Sequence, residues 1–107
     1  MKSTLQNRLE SGLSAITAEI MPPRGGNTGS ALSKAEKLKG LVHGFNVTDG
    51  SRAIMRMSSL ALCKLLLEAN LEPVLQLSCR DRNRIALQAE LLGAHALGIK
   101  NLSLIHI

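Results

Sequence analysis

The chain has no tryptophan, no tyrosine and one phenylalanine, so it lacks the ring platforms on which single-strand and RNA binders stack bases. That absence argues against the nucleic-acid partner which a net charge of +5 would otherwise suggest. Cysteine is scarce as well. Cys63 and Cys79 stand far apart with no CxxC, and neither His43 nor His95 lies at metal-ligand spacing from them. Both are expected to be ordinary buried thiols in a reducing compartment, and no metal site is expected. No apolar run approaches the roughly 20 residues of a membrane span. The longest, Leu60 to Leu67, is interrupted by Lys64 and flanked by Arg56 and Glu68. Met1 and Lys2 lead into STLQNRLESG without an apolar h-region, so no secretory signal and no membrane partner are expected, and the default compartment is the cytoplasm.

What is present is enough for a core: 107 residues, 45% apolar and 20% charged, suit one small soluble domain. Three β-prone runs recur, AITAEIM (15–21), GFNVTD (44–49) and PVLQLS (73–78), and a fourth extends from Ile99 to Ile107. Their spacing of roughly 30 residues is that of a strand, a helix and two loops. The first intervening segment has Ser30 as a cap, Leu32, Ala35 and Leu38 on one face, and Gly40 as a left-handed stop. The second carries a stripe of Ile54, Met57, Ala61, Leu65 and Leu66 that ends at Asn70. In the third, Asp81 is the candidate cap, Ile85, Ala89, Leu92 and Ala96 form the stripe, and Gly98 closes it. Met55 and Met57 are expected to fill core rather than to line a cofactor. A short helix, STLQNRLES, with Leu5 and Leu9 on one face precedes the first strand. The run RDRNR has two readings, a solvated helix start or an anion-binding loop.

Strand and helix alternating at constant short spacing predict right-handed crossovers and a parallel sheet. An open nucleotide-binding sheet would carry a glycine-rich phosphate turn after its first strand, and MPPRGGNTG has neither a GxGxxG nor a Walker pattern. A (β/α) barrel needs about 250 residues, so the predicted fold is α/β, the N-terminal half of a (β/α)8 TIM barrel with about three and a half βα units. Residues two apart share a strand face. Ile16, Ala18 and Ile20, then Phe45 and Val47, then Leu75 and Leu77 form the phase expected to pack on helices. The opposite phase places Glu19, Thr48 and Gln76 around one opening at the C-terminal ends of the strands, where barrel enzymes put their chemistry. For Thr48 and Gln76 the plain alternative is a hydrogen bond to loop backbone. A carboxylate such as Glu19 in an otherwise apolar strand costs stability unless paired or protonated, which makes it the candidate general acid.

At these residues the sequence resembles the methylenetetrahydrofolate reductase family. The likeness rests on TAEIMPPRG, on NVTDGSRAIMRMSSLA and on EPVLQLSCRDRNRIALQAELLGAHALGIKN, in order and at the family's distances, and it covers nearly all of 15–101. It implies a barrel carrying FAD that reduces methylenetetrahydrofolate to methyltetrahydrofolate for methionine supply. Electrons would come from NADH, NADPH or a protein donor, and a homo-oligomer or partner subunit is compatible with it. By position, Glu19 matches the family's acid, which protonates the bridging ring of the folate so that it opens to an iminium ion. Thr48 matches a residue near the flavin. Gln76 stands where many relatives have a flavin-contacting histidine, and a neutral amide can bond the cofactor but cannot titrate as imidazole does.

After GIKN the family continues with a strand ending in Leu-Thr-Gly-Asp, whose Asp approaches the flavin, and then with four more βα units. Here LSLIHI (102–107) follows. Those six residues are the translation of a transposase adaptor end, so 1–101 is expected to be the barrel part and 102–107 adaptor read-through, with a divergent strand as the alternative. An independent DNA read past codon 101 distinguishes the two. On this reading the chain is a fragment, and by itself inactive. A half-barrel that serves as a binding or scaffold module is the rival.

Overall fold

Parallel strands need a crossover that returns the chain to the same end of the sheet, and the amphipathic segments between the β-prone runs supply it. The computed structural model describes residues 3–105. In chain order these form α1 (Thr4–Glu10), β1 (Thr17–Ile20), α2 (Gly29–Leu38), β2 (Gly44–Val47), α3 (Ser59–Glu68), β3 (Pro73–Ser78), α4 (Arg84–Ala96) and β4 (Leu102–Ile105), with a 3-10 turn at Ser51–Ala53. The four strands make one parallel sheet in the order β1-β2-β3-β4. Strands laid down in sequence with a helix between neighbours are the arrangement of a partial (β/α) barrel, whereas a doubly wound sheet reverses direction at a switch point.

Burial follows the predicted strand phase. Ile20, Phe45, Val47, Leu75 and Leu77 form one buried cluster with Ala31 and Ala35 of α2 and with Leu62, Cys63 and Leu66 of α3. The opposite face is less covered: Glu19 is exposed, and Asn46 and Gln76 are half-buried. At the N-terminal end of the strands α1 closes this second face. The Ser3 hydroxyl caps α1 by accepting from Gln6 N at 3.0 Å, and it donates to the Asn101 side-chain oxygen at 2.7 Å. Leu5 N donates to the Glu72 carboxylate at 2.7 Å. A side chain at Gly44 would meet Leu5 Cδ2 and Val74 Cγ2 at 3.5 Å, so the glycine lets α1 approach the sheet. Asn101 also donates to Pro73 O at 3.0 Å, which aligns the GIKN segment with the start of β3.

Several local expectations need correction. α2 begins at Gly29 after Thr28, so Ser30 is its second residue and not its cap. α3 begins at Ser59 because Arg52 and Ala53 adopt positive φ and Ile54 is extended, which leaves Ile54 and Met57 outside the helix. The buried stripe of α3 is Ser59, Leu62, Cys63 and Leu66. Asn83, not Asp81, caps α4, its side chain accepting from Ala86 N at 2.8 Å. The predicted stripe on α4 faces away from the core: Ile85 and Leu92 are 73% and 72% exposed, while Ala94 is buried and Leu91 packs on the core. Apolar residues on both sides of α4 make its periodicity ambiguous, and contact with the sheet decides which side is covered. Met55 is exposed, so only Met57 fills core. Ile16 and Leu9 are exposed as well. The left-handed stops stand where expected, with positive φ at Gly40, Asn70 and Gly98. β4 falls within the Ile99 to Ile107 run, of which His106 and Ile107 lie outside the described residues.

The two thiols differ. Cys63 is enclosed in the core and Cys79 is half-buried, and both are free. Burial pushes the Cys63 thiol from its ordinary 9.0 up to about 12. Burial favours the protonated form, so this contribution to stability is present below pH about 9 and is lost as pH rises from there toward 12. Iodoacetamide at pH 8 is expected to label Cys79 in the native chain and Cys63 only after unfolding, as read by mass spectrometry. Equal labelling of both in the native state would contradict this packing.

Candidate active site at the C-terminal ends of the strands

Parallel register sets the layers of the polar face. Glu19 on β1 is level with Asn46 on β2, and Asn46 donates to the Thr17 hydroxyl on β1 at 3.0 Å. Val47 pairs with Leu75, so Thr48 stands level with Gln76, one step nearer the C-terminal ends of the strands. Gln76 in turn is level with Ser103 of β4. The three predicted site residues therefore share the face that the helices leave free, with Glu19 one layer below Thr48 and Gln76.

The Thr48 backbone extends the β1–β2 ladder, its N–H donating to Ile20 O at 3.3 Å. Its side chain is only 7% exposed, and its Oγ1 is buried with no hydrogen-bond partner. The alternative that Thr48 only bonds loop backbone is thus not what its hydroxyl does. An unmet buried hydroxyl costs free energy on the order of 1–3 kcal/mol, which a polar ligand atom at that level would recover. This orphaned oxygen, beside an amide at Gln76, fits the edge of a planar heterocycle that both donates and accepts.

Glu19 is exposed, so the burial cost expected for a carboxylate within the strand is not incurred. Two clefts, of about 280 and 230 Å³, adjoin it, and Arg56 lines both. The proline pair that follows β1 is held by the loop after β2: Arg56 Nη1 donates to Pro22 O at 3.0 Å, and Met57 N donates to Pro23 O at 2.7 Å. Between Thr48 and Arg56 the chain has positive φ at Gly50, Arg52 and Ala53. Gly50 has φ of 59°, and a side chain there would meet Arg80 Nη2 at 3.2 Å. Arg52 and Ala53 share the left-handed region without being glycine, a conformation that surrounding contacts must enforce.

The element that sequence reasoning missed is a clamp between strand ends. Asp49, next to Thr48, accepts from Ser78 N at 2.7 Å through Oδ2, and Arg82 Nη1 donates to the same oxygen. Arg82 also donates to Ser78 O at 3.0 Å and, through Nη2, to Asp49 Oδ1 at 3.4 Å. The hydrogen bond that Arg82 donates to Asp49, reinforced by the carboxylate's charge, holds the Arg82 guanidinium further above its ordinary value. Arg80 donates to Gly50 O at 3.0 Å and pairs with Asp81 at 2.7 Å. The RDRNR run is a solvated helix start, with Arg80, Asp81, Asn83 and Arg84 exposed and Asn83 capping α4, and not an open anion loop, because Arg80 and Arg82 also bond the β2 end. The signal lay in residues 29 to 33 positions apart, which spacing alone does not connect. Asp49→Ala removes the acceptor and strands a half-buried Arg82, and a loss of about 3 kcal/mol is expected in urea unfolding. Asp49→Asn, which keeps an acceptor for Ser78 N, should lose less, and equal losses would contradict the clamp.

Among the described residues no group of three or more His, Cys, Asp or Glu side chains comes together to hold a metal, and no helix is long and apolar enough to cross a membrane. No curated protein matches the chain. A family model described as methylenetetrahydrofolate reductase matches residues 4–105, from the first helix through the fourth strand. With a match of that extent, the chain belongs to the methylenetetrahydrofolate reductase family.

Proposed function

We propose that the chain forms part of the catalytic barrel of a flavin-dependent methylenetetrahydrofolate reductase, with Glu19 as general acid and Thr48 and Gln76 against the flavin. The observation that supports it most is the placement of these three residues on one polar face, in a chain of this family, with an unpartnered Thr48 hydroxyl at the strand ends. FAD bound there supplies the hydride that reduces the folate carbon. Thr48, through its unpartnered Oγ1, and Gln76, level with it, would hold the ring system, and the Gln76 amide would do so without taking up a proton. Glu19 faces the same space one layer down and delivers a proton to the bridging nitrogen of the folate, opening the ring for reduction. The reduced donor is NADH, NADPH or a protein, the product feeds methionine supply, and the setting is cytoplasmic.

In the full-length parent, Glu19→Gln should leave flavin bound, by visible absorption, and lower folate reduction at least a hundredfold. Undiminished turnover in that variant would rule out the assignment of the acid.

Among the described residues the sheet has four strands, and the two outer ones, β1 and β4, each keep an unpaired edge. A closed barrel of this kind has eight. For the 107-residue chain on its own the proposal is therefore no turnover and no stoichiometric flavin. Purified chain is expected to be colourless after incubation with FAD and gel filtration, and a yellow, active product would contradict this.

A further inference from the structure

Arg56 belongs to neither the core nor the strand-end clamp. It makes one hydrogen bond, Nη1 to Pro22 O at 3.0 Å, and its Nε is buried without a partner. No carboxylate pairs with it among the described residues. A half-buried guanidinium without a counter-charge is costly to maintain, and of its five N–H donors only one is matched here. Its surroundings are open, and in the two clefts beside Glu19 two cations face that one carboxylate. In the cleft of about 280 Å³ it faces Glu19 with Ser30 and Lys34 of α2, and in the cleft of about 230 Å³ it faces Glu19 with Ser51 and Arg52. A third cleft, of about 310 Å³, joins Arg56 to Arg80 and to the Asp49–Gly50 turn. Each of these three clefts thus has Arg56 in its wall together with a second cation, Lys34, Arg52 or Arg80, the last of them paired with Asp81. Its neighbour Met57 is pinned to Pro23, so the head group is held over the end of β1 rather than free in solvent.

We infer that Arg56 is an oxyanion-binding residue, which receives a carboxylate or phosphate of the ligand that lies across Glu19. A guanidinium offers Nε and Nη donors in a fixed fork that matches two oxygens of such a group, and Lys34 or Arg52 supplies the second charge. This rests on the proposed role of the Glu19 face, but it concerns binding and not proton transfer. Two sources share that chemistry: a carboxylate on the folate side and a phosphate on the cofactor side. Glu19 remains free to act while the anion is held, because the two groups are not bonded to one another.

The test follows the Arg56 Nε–Hε resonance by 15N–1H NMR in the 107-residue chain, with inorganic pyrophosphate in one arm and p-aminobenzoylglutamate in the other. A saturable shift confined to Arg56 and its cleft neighbours is expected in one arm, and that arm names the source. Arg56→Gln should weaken the binding, read from the Ser30 and Lys34 backbone amides, by about tenfold. Arg56→Lys keeps the charge and loses the fork, so it should recover only part. Arg24→Gln, an exposed cation outside these clefts, should bind as the unaltered chain does. Glu19→Gln should bind at least as tightly, so a failed acid assignment leaves this result standing. No saturable shift in either arm, or equal weakening by Arg24→Gln and Arg56→Gln, would overturn the inference.

Discussion

The whole arrangement depends on a parallel sheet that can bury only one of its faces on helices. Once Phe45, Val47, Leu75 and Leu77 turn toward α2 and α3, the period of two leaves no choice for the residues between them. Glu19, Asn46, Thr48 and Gln76 must point the other way. A slip of one residue in any strand would place these polar groups among Leu62, Cys63 and Leu66, at a cost of several unsatisfied buried groups. The chemistry of this face is thus fixed by the packing of the opposite one.

The two ends of the polar face are finished by different means. α1 closes the N-terminal end, using Ser3, Leu5 and Asn101 to bind backbone and side-chain groups that the strands leave over. At the C-terminal end charged side chains do the joining: Asp49 reaches across to Ser78 and Arg82, and Arg56 reaches back to the prolines after β1. The C-terminal end therefore carries Arg56, Arg80 and Arg82 beside Glu19, Asp49 and Asp81, while α1 packs over the N-terminal end.

Much of this was legible in the residues. PVLQLS coincides with β3, the left-handed stops at Gly40, Asn70 and Gly98 are in place, and the strand phase puts Glu19, Thr48 and Gln76 together. Parallel order followed from spacing alone. What could not be read was whatever depends on a distant partner. Nothing local separates the Ile85–Leu92 side of α4 from the Leu91–Ala94 side, because both are apolar and only docking on the sheet chooses between them. In the strained turn that shortens α3, Gly50 marks only the entry, and nothing about Arg52 or Ala53 announces their positive φ. The Asp49–Arg82 clamp links segments that the sequence presents as unrelated loops. The family likeness named Glu19 and Thr48 but passed over Arg56, whose isolation shows only in three dimensions.

A crystal structure of the flavin-loaded full-length parent with a folate bound tests the central claim most directly. The flavin ring is expected against Thr48 and Gln76 at the C-terminal ends of the strands, with the Glu19 carboxylate within hydrogen-bond reach of the folate ring system. A flavin seated at the α1 end of the sheet, or a Glu19 turned away from the folate, would contradict it.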